Sequence, residues 1–159
     1  MPTDPYTQVY DALWTLLSGR ADFTALVKLG NRINYSGSED PAKQVVQSAD
    51  LPECEMRVGT FEFDLFKTSS STESMQTYEL RITTGDTRLD VGLFPIQYEV
   101  LKALASTGNN LGLSFVQDIN VTGGVDSLDD DEMKRGKRGW VLRITIAVMM
   151  TFATSDLTA

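Results

Sequence analysis

The sequence predicts an α+β fold in which helices pack on one face of a largely antiparallel sheet of about four strands. Three observations lead there. An amphipathic helical stripe opens the chain, four later segments alternate apolar and polar residues, and one helical stretch separates the second of those segments from the third. The order is α-α-β-β-α-β-β, with no internal repeat, and 159 residues form one domain, 1–159.

The first helix is expected from about Asp4 to Leu17. Thr3 or Asp4 supplies a side-chain oxygen for the N-cap, Pro5 suits the first turn, and Gly19 ends the helix. Tyr6, Val9, Tyr10, Leu13, Leu16 and Leu17 form its apolar stripe, with Trp14 just off it. A short second helix follows, capped by Asp22 and burying Phe23, Leu26 and Val27. Residues 31–50 read as a loop with a brief strand at Ile33–Tyr35 and a helical turn at Ala42–Gln47.

In the first long strand the apolar set changes parity, from Cys54, Met56 and Val58 to Phe61, Phe63 and Leu65. A strand changes the parity of its buried face only by a bulge or kink, and Gly59 is the natural place. Thr68–Ser74 reads as the hairpin loop into a second strand around Tyr78, Leu80 and Ile82. A helix at about Pro95–Ser106 carries Ile96, Val100, Leu101 and Leu104. Leu111, Leu113, Phe115, Ile119 and Val121 mark the third strand, and residues 122–138 read as a long flexible loop. The last strand, Trp140 to Phe152, is the clearest and is longer than a domain strand needs. Its other face carries Val141, Ala147, Met149 and Ala153, which makes it a candidate subunit contact through Val141 and Met149.

Composition limits the function classes. The chain has 22 acidic and 14 basic residues and a net charge of -8, which opposes tight binding to a phosphate backbone. It contains no histidine, so imidazole-based triads and zinc sites are excluded. Cys54, the only cysteine, reads as a small core residue. No phosphate-binding glycine motif is present, and no cofactor is expected. No apolar run is long enough to span a membrane, and the N-terminus lacks the regions of a signal peptide, so the expected origin is the cytoplasm.

Asp126, Asp129, Asp130, Asp131 and Glu132 could attract a hard cation, but their spacing lacks the calcium-loop pattern. Lys134, Arg135, Lys137 and Arg138 follow at once and compete for the carboxylates. A solvated loop is the better account, and no metal site or catalytic residue is assigned. An acidic run followed by a basic one can also meet its reverse on a neighbouring copy. Asp126, Asp129, Asp130, Asp131, Lys134, Arg135, Lys137 and Arg138 therefore join Trp14, Val141 and Met149 as candidate interface residues.

The opening helix around Tyr10-Asp11-Ala12-Leu13-Trp14-Thr15-Leu16-Leu17, the Phe23–Leu29 helix and Arg32-Ile33-Asn34-Tyr35 resemble the start of phage tail terminator (tail completion) proteins. The phrase Ala49-Asp50-Leu51-Pro52-Glu53-Cys54-Glu55-Met56 and the closing strand introduced by Gly139-Trp140 are similar to the same family. The resemblance covers most of the chain as an order of elements. It implies a non-enzymatic virion protein, made in the host cytoplasm, that forms a hexameric ring. Such a ring caps the tail tube, stops its polymerisation and joins it to the neck or connector of the capsid, while DNA passes without tight binding. The alternatives are a head-completion or neck protein, a non-viral ligand- or peptide-binding α+β module, and a magnesium-dependent enzyme built on Asp126–Glu132.

Overall fold

The computed structural model describes residues 4–27, 51–106, 108, 110–128, 133–134 and 139–157, together with the backbone of 32–34. Helix α1 (Pro5–Ser18) starts where the sequence predicts. Asp4 takes an extended backbone and its carboxylate accepts from the Thr7 amide at 3.0 Å and the Thr7 hydroxyl at 2.8 Å. These two bonds, the amide first, hold the Asp4 carboxyl below the usual aspartate range. Gly19 closes the helix, and α2 (Ala21–Leu26) follows directly.

The sheet contains β1 (Arg32–Asn34), β2 (Glu53–Thr68), β3 (Ser71–Thr83), β4 (Val116–Ser127) and β5 (Trp140–Ala153) in the spatial order β1-β2-β3-β5-β4. The four long strands are antiparallel, as expected. The brief first strand is present and pairs parallel to β2 over Cys54–Met56. The β2–β3 turn is tighter than the sequence implies, with Thr68 already opposite Ser71.

Before α3 (Phe94–Ala105) the chain makes a π-helical turn, Leu89–Leu93, which no periodicity announces. There the bulk of Gly92 matters: a Cβ would sit 2.4 Å from the Asp86 carbonyl oxygen. A four-residue helix, α4 (Thr154–Leu157), ends the described chain. No helix among the described residues is long and apolar enough to cross a membrane.

The core lies between α1, α2 and α3 and one sheet face. Cys54, Met56, Tyr78, Leu80, Ile82, Leu142, Ile144, Ile146, Val148 and Met150 supply the sheet side, meeting Val9, Leu13, Leu17, Phe23, Ile96 and Val100. Three tyrosine hydroxyls anchor α1 across β2 and β3. Tyr10 donates to the Met56 carbonyl at 2.6 Å, Tyr78 donates to the Tyr6 carbonyl at 3.0 Å, and Tyr6 shares a bond with the Ser74 hydroxyl at 2.7 Å. Each satisfies a polar group that burial would otherwise penalise. Glu99, buried on α3, pairs with Lys102 and lies 3.7 Å from Arg20, tying α3 to the α1–α2 junction.

Several expectations need correction. Trp14 is 4% exposed and belongs to the core, because it lies four residues after Tyr10 and three before Leu17 and so shares their helical face. On α3, Ala103 is buried and Leu101 points outward. Leu111, Leu113 and Phe115 form turns before β4, with Leu111 at φ +56°. Residues 122–127, expected in a loop, continue β4 in register with 140–145 of β5. The predicted turn at Ala42–Gln47 lies outside the described residues.

The cap makes a prediction. Asp4→Ala should lower stability by about 1 kcal/mol near neutral pH, measured by urea unfolding. Because the folded Asp4 pKa is lowered, its contribution is complete above the ordinary aspartate value and vanishes as pH falls through the lowered one. The gap between wild type and variant should therefore close in acid, and a gap that persists there would contradict the capping role.

Candidate assembly surface

The parity change in β2 is made as the sequence predicts. Val58 faces Tyr78 and Phe61 faces Gln76, so Gly59 and Thr60 oppose the single residue Thr77. The bulge is locked by side chains. The Thr77 hydroxyl donates to the Thr60 carbonyl at 3.1 Å, and the Gln76 amide reaches the same carbonyl at 3.3 Å and the Thr77 carbonyl at 3.0 Å. A Cβ at position 59 would lie 2.3 Å from the Thr77 hydroxyl oxygen.

The bulge keeps Val58, Phe61 and Phe63 on the helix-side face, in line with Met56 and Cys54. The Phe61 and Phe63 rings lie 5.2 Å apart, as neighbours two residues apart on one face should. Yet the helices cover this face only as far as Met56. Beyond it Val58, Phe61, Phe63, Leu65 and Phe66 are 55–63% exposed. A second irregularity follows, with Leu65, Phe66 and Lys67 between the pairs Asp64–Glu73 and Thr68–Ser71. Phe66 sits there at φ +52°, a region costly for an aromatic residue, and its amide donates to the Thr72 hydroxyl at 3.1 Å.

Covering a large aromatic side chain removes roughly 150–250 Å² from water. At the observed exposures these five side chains offer on the order of 500 Å², near the upper end for any patch on a monomer. The patch also lies along an edge: pairing with β1 ends at Met56, and on the side away from β3 no described strand lies against β2 from Val58 to Thr68. Apolar side chains on an open strand edge are what soluble proteins ordinarily avoid.

The opposite sheet face is charged. A groove of about 360 Å³ is bordered by Arg57, Arg81, Arg143, Glu79 and Thr145. Two of its arginines are ion-paired within the chain: Arg57 grips Glu55 through bonds of 2.6 and 2.9 Å, and Arg143 meets Asp126 at 3.0 Å. Glu55 also lies opposite Arg81 in the register, which offsets the Arg81–Arg143 like-charge pair.

The sequence-predicted candidates scatter. Trp14 is in the core. Val141 is 1% exposed, and Met149 is half-buried beside Met75. The long strand that carries both, β5, is central, so its backbone is paired on both sides within the chain. Its length reflects thirteen uninterrupted pairs with β3, from Ser71–Ala153 to Thr83–Val141. Asp126 lies on β4 and Lys134 is exposed, while Asp129, Asp130, Asp131, Arg135, Lys137 and Arg138 lie outside the described residues. Among the described residues no group of three or more His, Cys, Asp or Glu is placed to hold a metal ion. The surface that the sequence reading missed is the distal half of β2. Its signal was present in Phe61, Phe63, Leu65 and Phe66, but alternation alone reads as burial.

No protein-family model matches the chain, and no curated protein matches it.

The bulge contact is testable by a double-mutant cycle on Gly59 and Thr77. Gly59→Ala should cost about 1–3 kcal/mol in urea unfolding, as overpacking does. In a Thr77→Ala background the same change should cost clearly less, and strictly additive costs would contradict the close approach.

Proposed function

We propose that this protein is a structural assembly subunit, a tail terminator that forms a ring on the phage tail tube, stops its polymerisation and joins it to the capsid connector. The observation that carries the assembly reading is the exposed apolar edge of β2, from Val58 to Phe66. A patch of that size on a strand edge with no described strand beyond it is a contact surface waiting for a partner. The Phe66 backbone supports the same reading, since a strained conformation that exposes an aromatic ring is retained where it serves a contact. The net charge of -8 fits a ring that lets DNA through without gripping its phosphates. The resemblance of the element order to tail terminators supplies the particular assembly and its partners, the tail tube protein on one side and the neck or connector on the other.

Light scattering coupled to size exclusion, across a concentration series and with negative-stain imaging of each peak, tests this. Multi-copy rings with a central hole, formed alone or on adding tail tube protein, are expected. A strict monomer at every concentration, with and without that protein, would overturn the reading. Binding to a neck protein but never to tail tube protein would move the assignment to the head side.

Phe61→Asp tests the surface itself. The variant should raise the concentration needed for assembly at least about tenfold, equivalent to about 1.4 kcal/mol. Its unfolding free energy should stay within about 0.5 kcal/mol of wild type, as for other exposed positions. Unchanged assembly would remove β2 from the contact.

A further inference from the structure

We infer that the occupant of the β2 edge is the β4 edge of a second copy, laid antiparallel to it in a head-to-tail contact. The inference rests on the assembly reading and names its mate. β2 from Arg57 to Thr68 and β4 from Val116 to Ser127 are the outer long strands of the same sheet, each with no described strand beyond it. In the order β2-β3-β5-β4 every neighbour is antiparallel, so β2 and β4 run in opposite directions. A neighbouring copy set beside this one in the same orientation therefore offers β4 to β2 as an antiparallel partner.

Face and size select a register. On β4, Ile119, Val121, Gly123 and Val125 lie on the helix-side face, opposite Val148, Ile146, Ile144 and Leu142 of β5. Val121 and Val125 are 42% and 43% exposed, so the β4 edge has its own open apolar row on the same face as that of β2. Full overlap of the two edges sets Phe63 against Val121 and Phe61 against Gly123. The β2 bulge then takes up Gly124, and Val58 meets Val125. Val58, Phe61 and Phe63 stay on one face with Val125, Gly123 and Val121 because the bulge gives β2 its extra residue.

The glycines fit this arrangement. A Cβ on Gly124 would meet nothing within 4 Å, and one on Gly123 would only touch ordinary neighbours at 3.4 and 3.9 Å. Nothing among the described residues requires their small size. A phenylalanine lying across a strand glycine covers the backbone that the glycine bares, a pairing known to stabilise sheets. Phe61 is placed to do this for Gly123.

The charges agree with the same register. On the other face Arg57 meets Asp126 of the neighbour, and Lys67 comes near its Asp118. The β2 acids Glu62 and Asp64 fall against Thr122 and Asn120 rather than against carboxylates. Arg57 and Asp126 already hold Glu55 and Arg143 within the chain, but their side chains are 57% and 51% exposed and can accept a further contact. The β2 row brings on the order of 500 Å² to this contact and the edge backbone adds to it, against roughly 800 Å² per partner in a standard interface. A contact between two different edges repeats from copy to copy and closes when the rotation per copy divides the circle.

Cysteine pairing tests the match. In a Cys54→Ala background, chains carrying only Glu62→Cys are mixed with chains carrying only Thr122→Cys and oxidised. Both positions are exposed, so neither change threatens folding. The expected product is a disulfide heterodimer, and a chain carrying both cysteines should give a covalent ladder of multimers. Efficient Glu62→Cys homodimers without heterodimers would overturn the head-to-tail contact in favour of a two-fold one. No crosslink in particles that light scattering shows to be multi-copy would overturn the β2–β4 match while leaving assembly standing. No crosslink in a protein that stays monomeric would overturn both.

Discussion

The two-against-one bulge at Gly59 and Thr60 is the constraint on which the rest depends. Without the extra residue, the parity change after Val58 would send Phe61 and Phe63 to the charged face and break the row that begins at Cys54. With it, β2 carries one apolar face along its whole length, and the Thr77 and Gln76 bonds to the Thr60 carbonyl hold that geometry. The same row is core at one end and surface at the other. Cys54 and Met56 are sealed under α1 by the Tyr10 bond to the Met56 carbonyl, and Val58 onward extends past the described helices.

This arrangement explains why the polar interior lies where it does. Thr72, Ser74 and Gln76 on β3 are buried on the helix-side face beside the exposed β2 row. Each is used: Thr72 receives the Phe66 amide, Ser74 bonds Tyr6, and Gln76 braces the bulge. The distal hairpin is thus held by hydrogen bonds rather than by an apolar layer of its own. A hairpin fixed in this way can present an apolar edge without collapsing on it, and a preformed edge loses less entropy on binding than a mobile one.

Much of the fold was legible in the sequence. Asp4, Pro5 and Gly19 bound α1 because caps act locally, and the irregularity at Gly59 was readable because pleat parity demands a bulge or kink there. The last strand was readable from seven residues on one face. The misses have a common cause in tertiary context. Leu111, Leu113 and Phe115 alternate like a strand but turn, and packing against the core, with Phe115 stacked on Phe152, keeps them partly buried. Val141 read as surface and is core, while Phe61 and Phe63 read as core and are surface. Alternation tells which residues share a face, but whether a helix covers that face depends on how far α1 reaches, and no local pattern encodes that. The strand judged most open to a partner, β5, proved central, because sheet order is set by long-range pairing.

Hydrogen exchange read by mass spectrometry, in dilute and in assembled protein, bears most directly on the claim that the open β2 edge is a subunit contact. Edge amides with no partner exchange quickly, and ladder pairing slows them. Peptides covering 57–68 and 116–127 should gain protection on assembly while those of the already paired β5 change little. Assembly that leaves the 57–68 amides exchanging as fast as in the monomer would contradict the account.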